Sequence, residues 1–173
     1  AGCGTGRVTA ALLERLPRGD VVAVDGSPAM VEEARRRLGD RADIRVADLL
    51  ELQLEQPVDA ILSTATFHWV PDHPKVLARL LGSLPPGGVL AVQMPDNTSE
   101  PALLLMERVA KSLAQPCPAR AELPKPEDYY DLLRPICRHL DIWHTRYNHI
   151  LDDHRGVVEW FKGSGMRPFL APL

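Results

Sequence analysis

The chain opens with Ala1-Gly2-Cys3-Gly4-Thr5-Gly6, and a helical pattern follows from about Arg7 to Leu16. Glycines let the backbone adopt positive φ and pass close to a ligand. The N-terminus of a helix presents N–H groups that have no partner inside the helix. Asp25 ends the next apolar run, nineteen positions after Gly6. A carboxylate at that distance can accept hydrogen bonds from ribose hydroxyls, so the pattern predicts a nucleoside cofactor. The alternative for Asp25 alone is a turn former at a strand end.

Residues 1–95 alternate between strand and helix patterns, which predicts a parallel sheet with right-handed crossovers. The helix after the first strand begins at Ser27-Pro28, an N-cap and first-turn proline, and ends at Gly39. A second helix has its apolar stripe around Val76–Leu81. The predicted strands are Val21–Asp25, Asp43–Val46, Val58–Ser63 and Val89–Met94.

Residues 96–140 are interrupted by prolines, so they are a candidate lid or insertion, which Tyr129 and Tyr130 could enter. One helix is predicted there, with Ala102, Met106, Val109 and Leu113 on a shared face. Strict alternation predicts a strand over Ile142–Asn148. A helix is predicted over 156–163, with Val157, Val158 and Phe161 directed inward.

Composition excludes several classes of function. No apolar run reaches the roughly 18–20 residues that cross a bilayer. A net charge of -3 argues against nucleic acid as a partner. Cys3, Cys117 and Cys137 are odd in number and lack a CxxC pair, which favours a reducing cytoplasm over a disulfide framework. No metal site is predicted, because histidines spaced by five residues cannot converge from one regular element. Those histidines are His139, His144, His149 and His154.

The glycine spacing distinguishes between cofactors. A dinucleotide-binding loop needs G-x-G-x-x-G, whereas here Arg7 stands where the third glycine should be. The Gly-x-Gly-x-Gly pattern followed by an acidic strand end resembles motif I of the class I S-adenosylmethionine-dependent methyltransferases. That resemblance implies a Rossmann-like α/β sheet with helices on both faces, and S-adenosyl-L-methionine as cofactor. The cofactor-binding residues it implies are Gly2, Cys3, Gly4, Thr5, Gly6, Asp25, Ser27, Met30, Asp48, Leu49 and Ser63.

More specific stretches resemble the trans-aconitate 2-methyltransferase family. They are Gly26–Met30, Trp69–His73, Ala91–Asn97, Asp141–Trp143, Tyr147 with His149, and Gly165–Pro168. The implied reaction is methyl transfer to a carboxylate oxygen of a small polycarboxylic acid, which gives a monomethyl ester. A carboxylate is ionised at neutral pH, so no catalytic acid or base is expected.

Five residues are predicted to bind the acceptor: His68, Trp69, Tyr147, His149 and Arg167. Arginine suits a carboxylate because its planar fork can donate two hydrogen bonds at once. The alternatives are structural. His68 and Trp69 could belong to a loop packed over the sheet edge, Tyr147 could face the core, and His149 and Arg167 could simply be exposed.

Members of the resembled family continue beyond both ends of residues 1–173. We therefore expect a single methyltransferase domain without its first, central strand and its last, antiparallel strand. A gap at the centre of a sheet leaves backbone groups unpaired, at about 1–3 kcal/mol for each buried group. We therefore predict that residues 1–173 alone neither fold nor bind S-adenosylmethionine.

Three alternatives remain open on the sequence. The chain could be a methyltransferase with another small-molecule acceptor, since motif I does not determine the acceptor. It could be a nicotinamide-dependent oxidoreductase, although the glycine spacing argues against this. It could also be a non-catalytic, truncated remnant. The sequence does not specify the oligomeric state.

Overall fold

The structure is a computed structural model that describes residues 1–117, 122–162 and 165–170. The chain forms two compact units. Unit 1 comprises Ala1–Pro95 and Lys125–Asp141, and unit 2 comprises Asp96–Pro124 and Ile142–Leu173. The segment 96–140 is thus divided between the units, with Lys125–Asp141 in unit 1.

The first part of unit 1 is a two-stranded parallel sheet with two helices. Its elements are α1 (Arg7–Arg15), β1 (Val22–Asp25), α2 (Pro28–Leu38) and β2 (Asp43–Val46). Ala23 lies opposite Ile44 in the ladder. Ser27 caps α2 as the sequence predicts, because its Oγ accepts a hydrogen bond from the Met30 N–H at 3.5 Å. Val31 and Ala34 of α2 are fully buried, so this helix packs closely against the sheet.

The second part of unit 1 is another parallel pair of strands with two helices. Its elements are β3 (Ala60–Thr64), α3 (His73–Gly82), β4 (Val89–Gln93) and α5 (Pro126–Leu133). A 3-10 turn, Phe67–Trp69, follows β3, and Phe67 is fully buried in the core. The strand predicted from Val58 begins two residues later, at Ala60, and the helix predicted around Val76–Leu81 is confirmed as α3.

Residues 1–3 lie between the two sheets. The Ala1 nitrogen donates to the Leu62 carbonyl of β3 at 2.7 Å, and the Cys3 N–H donates to the Val24 carbonyl of β1 at 2.8 Å. Within the described residues β1 and β3 do not pair with each other. The start of the glycine loop therefore connects the two halves of unit 1 through backbone hydrogen bonds.

Unit 2 contains α4 (Pro101–Ser112), α6 (His154–Lys162) and α7 (Arg167–Leu170). The helix α4 is present as predicted, but Leu103 and Ala110 are its buried residues, whereas Val109 and Leu113 are exposed. The helix α6 is also present. Its predicted inward face is wrong, because Val157 and Val158 are 38% and 41% exposed.

The predicted strand over Ile142–Asn148 is wrong. These residues form no regular secondary structure and are exposed. A strand is stabilised by backbone hydrogen bonds to a neighbouring strand, and none of the described residues pairs with this segment. Both of its faces also carry polar side chains, so burial of one face offers little driving force.

None of the described helices is long and apolar enough to span a membrane.

Candidate functional site

The three glycines of residues 2–6 all adopt positive φ, but for different reasons. Gly2, Gly4 and Gly6 have φ of 71°, 52° and 79°. A Cβ at Gly2 would lie 2.1 Å from the Thr66 Oγ1, and one at Gly6 would lie 3.0 Å from the Leu38 Cδ1. A Cβ at Gly4 would meet no described atom within 4 Å. Gly2 and Gly6 therefore permit packing, whereas Gly4 leaves open space where a ligand can approach the backbone.

Asp25 connects the glycine loop to the start of α2. Its Oδ2 accepts a hydrogen bond from the Gly4 N–H at 2.8 Å, and its Oδ1 accepts one from the Ser27 N–H at 2.9 Å. Each carboxylate oxygen has two lone pairs, so both can still accept from a ligand. Asp25 is thus a structural residue of the loop as well as a candidate ligand for ribose hydroxyls.

Arg79, which the sequence analysis did not identify, holds the segment that follows β2. Within it, the Asp48 Oδ1 accepts from the Leu50 N–H at 2.9 Å, and Leu49 is buried. The Arg79 guanidinium of α3 donates to the Leu49 and Leu50 carbonyls at 3.0 and 2.9 Å, and also to the carbonyl of Leu52. No sequence signal distinguished Arg79 from the other arginines, since its partners are backbone atoms distant in sequence.

Two polar side-chain atoms near the end of β3 are buried without a hydrogen-bond partner among the described residues. They are the Oγ of Ser63, which is 1% exposed, and the Nδ1 of His68. Buried polar groups are nearly always paired, so such atoms are candidates for ligand contacts. Burial lowers the pKa of His68, with a smaller contribution from His73, which favours the neutral ring.

The 3-10 turn after β3 presents the two residues predicted to contact the acceptor. The rings of His68 and Trp69 are 4.8 Å apart, and Trp69 is 69% exposed. The Trp69 N–H donates to the Thr66 carbonyl at 2.9 Å, and the Val70 N–H donates to the Phe67 carbonyl at 2.9 Å. The turn thus has a defined backbone, with an exposed indole beside a half-buried imidazole.

A second buried polar pair lies at the start of α3. The Nε2 of His73 is 2.6 Å from the Tyr129 hydroxyl, and its Nδ1 is 3.3 Å from the Val70 carbonyl oxygen. Both side chains are nearly fully buried. The expectation that Tyr129 could enter a lid is wrong, because Tyr129 packs in the core of unit 1, whereas Tyr130 is exposed. This contact could not be predicted, because the two residues lie 56 positions apart in the sequence.

The predicted cofactor residues lie in unit 1, where the hydrogen bonds described above bring together the glycine loop, Asp25 and Ser27. Met30 continues the first turn of α2. Cys3 lies within the loop, and burial raises the pKa of its thiol, which favours the protonated, unreactive form. Thr5 lies in the loop just before α1.

Three of the predicted acceptor residues lie in unit 2. The rings of Tyr147 and His149 are 6.4 Å apart, so these residues are neighbours even without the predicted strand. His149 also contacts Trp160 of α6, with ring centroids 4.3 Å apart. Arg167 is the first residue of α7, and its side chain lies outside what the structure describes.

Comparison with known proteins identifies relatives along the whole chain. The family described as "Methyltransferase domain" matches residues 1–92. Trans-aconitate 2-methyltransferases of Rhodopseudomonas palustris strains BisB18 and HaA2 are 47% and 48% identical over 178 residues, which is 99% of this chain and 69% of each relative. The Methylobacterium radiotolerans enzyme of that name is 43% identical over 180 residues, with the same shares of both chains.

Solved structures support the fold. A chain from the complex of the Haloferax volcanii Trm112 methyltransferase activator with a methyltransferase has a TM-score of 0.60 at 22% identity, covering 78% of this chain and 57% of that chain. The plantazolicin methyltransferase BpumL, solved with S-adenosylhomocysteine, has a TM-score of 0.50 at 19% identity, covering 79% and 48%. Both confirm the Rossmann-like α/β architecture. With identities above 40% along almost all of its length, this chain belongs to the trans-aconitate 2-methyltransferase family of methyltransferases.

Proposed function

We propose that this protein transfers a methyl group from S-adenosylmethionine to a carboxylate oxygen of trans-aconitate or a similar small polycarboxylic acid. The products are a monomethyl ester and S-adenosylhomocysteine. The observation that carries this proposal is the 42–48% identity to curated trans-aconitate 2-methyltransferases over 99% of the chain. The open, glycine-lined loop beside Asp25 supports the donor assignment independently.

The residues of unit 1 fit an S-adenosylmethionine molecule. The backbone at Gly4 is open to a ligand, and the Asp25 carboxylate has lone pairs for two ribose hydroxyls. The resemblance to the methyltransferase family implies that Asp48 and Leu49, in the segment that follows β2, would contact the adenine. The buried hydroxyl of Ser63 is a candidate donor or acceptor for a polar atom of the bound molecule.

Bound S-adenosylmethionine supplies an electrophilic methyl group on a sulfonium. A carboxylate oxygen forms the new O–C bond as the S–C bond breaks, and no proton is transferred. The protein therefore needs to align the reacting atoms, a contribution that can reach roughly 7–11 kcal/mol. This explains why a site without a catalytic acid or base is sufficient.

The acceptor carboxylates would be held by the five residues predicted from the resemblance. His68 suits this role because its pKa is lowered, so its neutral ring can donate one hydrogen bond at neutral pH. Trp69 offers an exposed apolar surface for the carbon skeleton. Tyr147 and His149 lie side by side and can both donate, and Arg167 would supply the charged fork.

The proposal places the enzyme in the cytoplasm without nucleic acid or a membrane as partner. The thiols of Cys3, Cys117 and Cys137 are free, which agrees with a reducing compartment. The net charge of -3 gives no general attraction to phosphate backbones.

The test is calorimetric titration of the full-length protein with S-adenosylhomocysteine, followed by methylation assays with di- and tricarboxylic acids. We expect saturable binding and ester formation on trans-aconitate, with little activity on monocarboxylic acids. Binding without methylation of any carboxylate would favour another small-molecule acceptor. Absence of binding would contradict the donor assignment and favour a non-catalytic role.

A further inference from the structure

We propose that His73 and Tyr129 are positioning residues that hold the turn carrying His68 and Trp69 in place for the acceptor. This inference rests on the proposed function for the identity of the acceptor. It adds two residues that neither the glycine loop nor the predicted acceptor set contains.

The hydrogen bonds of His73 define a single arrangement of its ring. In the neutral imidazole, Nδ1–H donates to the Val70 carbonyl and Nε2 accepts from the Tyr129 hydroxyl. Burial lowers the pKa of His73, which favours this neutral form. Both ring nitrogens are then satisfied in a core where an unpaired polar atom would be costly. Loss of the tyrosine hydroxyl alone would leave Nε2 buried and without its donor.

The turn that this pair supports is bounded by strained backbone. Ala65 and Asp72 have φ of 51° and 49°, a region that residues other than glycine rarely adopt. Such conformations persist where the surroundings determine them, and they concentrate at functional sites. Between them, Phe67 is fully buried and anchors one side of the turn. The His73 contact to Val70 holds the other side, directly after Trp69.

The partner of His73 also has a defined place in the core. Tyr129 and Leu133 of α5 pack in the same buried cluster as Phe67, Val76 and Leu77. The hydrogen bond to His73 therefore joins α5 to the start of α3 within the core of unit 1.

The test compares Tyr129→Phe with Tyr130→Phe in the full-length protein. The two changes remove the same hydroxyl from adjacent positions of α5, but Tyr130 is 48% exposed. For Tyr129→Phe we expect kcat/KM for the acceptor to fall at least tenfold while the Kd for S-adenosylhomocysteine stays within twofold. Tyr130→Phe should leave both values unchanged.

A double variant separates positioning from general stability. His73→Leu with Tyr129→Phe removes both polar partners, so we expect its Tm to recover relative to Tyr129→Phe. Its acceptor kcat/KM should stay low, because the Val70 carbonyl has lost its donor. Recovery of kcat/KM together with Tm would overturn the proposal, as would wild-type kinetics in Tyr129→Phe.

Hydrogen exchange over residues 66–72 gives a measurement that is independent of the acceptor. Tyr129→Phe should speed exchange of the Trp69 and Val70 amides, and Tyr130→Phe should not. Unchanged exchange in Tyr129→Phe would contradict the positioning role. A wild-type protein that binds S-adenosylhomocysteine but methylates no carboxylate would contradict the proposed function. The exchange experiment would still test whether His73 and Tyr129 hold the turn in place.

Discussion

Units 1 and 2 differ in how much of their structure is determined by packing. Unit 1 contains both sheets and most of the buried side chains among the described residues. Unit 2, over its described residues, buries only Leu103 and Ala110. Several of its large apolar side chains are exposed, among them Trp143, Tyr147 and Trp160.

This difference indicates how each half of the proposed reaction depends on the protein. The predicted S-adenosylmethionine-binding residues are held by hydrogen bonds and tight contacts inside unit 1, so their positions follow from the fold. The predicted acceptor residues of unit 2 are held by few buried neighbours. Substitutions of the predicted donor-binding residues in unit 1 should therefore act on both stability and S-adenosylmethionine binding, whereas substitutions of the predicted acceptor residues in unit 2 should act mainly on the acceptor.

The largest effect is expected from Gly2→Ala. A Cβ at this position would clash with the Thr66 side chain, 2.1 Å from its Oγ1 and 2.2 Å from its Cγ2, and φ is 71°. We expect the free energy of unfolding to fall by roughly 2–5 kcal/mol. Gly87→Ala is the control, because φ at Gly87 is 88° but a Cβ added there would have no described atom within 4 Å. Chemical denaturation measures both, and equal losses would show that backbone strain alone determines the effect at Gly2.

Asp25→Ala tests the donor half of the comparison. It removes the acceptor of the Gly4 and Ser27 N–H groups together with the predicted ribose contact. We expect affinity for S-adenosylhomocysteine to fall by roughly 1.5–3 kcal/mol. Asp25→Asn should be milder, since the amide oxygen can still accept from one of the two N–H groups. The exposed Asp131→Ala is the control, and unchanged calorimetric affinity in Asp25→Ala would refute the assignment.

Arg167→Lys tests the acceptor half. An ammonium cannot reproduce two parallel hydrogen bonds to a carboxylate, so we expect the acceptor KM to rise roughly tenfold. Affinity for S-adenosylhomocysteine and the Tm should remain at wild-type values. Steady-state kinetics on trans-aconitate measures this change. A wild-type KM in Arg167→Ala would move the anchor elsewhere, with Arg146 and Arg155 as the next candidates.

Arg79→Met tests whether a residue outside the predicted S-adenosylmethionine site affects S-adenosylmethionine binding. It removes the donor to the carbonyls of Leu49, Leu50 and Leu52 but keeps an unbranched apolar chain. We expect donor affinity to fall by about 1 kcal/mol, because the segment with Asp48 and Leu49 loses its support. The matched control is Arg36→Met on the exposed face of α2. Equal affinities in the two variants would contradict a positioning role for Arg79.

The smallest effect concerns pH. Burial lowers the pKa of His73 in the folded protein below the ordinary value of 6.5, so the unfolded chain binds more protons. The contribution of His73 to stability is therefore complete above pH 6.5 and is lost as pH falls through the lowered pKa. We expect the Tm of wild type to decline more steeply below pH 6.5 than that of His73→Gln. Parallel curves of Tm against pH for the two proteins would show that His73 does not cause the loss of stability at low pH.

The sequence predicted unit 1 well because its signals are local. Ser27 with Pro28 marks a helix start, Gly39 marks its end, and short β-branched runs mark buried strands. The strand prediction over Ile142–Asn148 was wrong because alternation of polar and apolar residues predicts a strand only where a neighbouring strand and an apolar face are available. The face of α4 also could not be read from spacing alone, since Leu103 and Val109 are both apolar and only tertiary packing selects between them.

The candidate site also contains residues that the sequence predicts and residues that it does not. Spacing identified the glycine loop and Asp25, and the resemblance identified His68 and Trp69. The contacts of Arg79 and the hydrogen bond between His73 and Tyr129 could not be predicted, because they join residues that are far apart in sequence. No pattern within one segment records such contacts.

The two hydrogen bonds that Asp25 accepts from Gly4 and Ser27 have a consequence for the energetics of ligand association. They order the loop during folding, so the entropic cost of arranging it is not incurred when the donor arrives. Exchange of product for fresh donor can then proceed without a disorder-to-order transition in this segment. The heat-capacity change of donor binding should accordingly reflect only the surface area that the ligand covers.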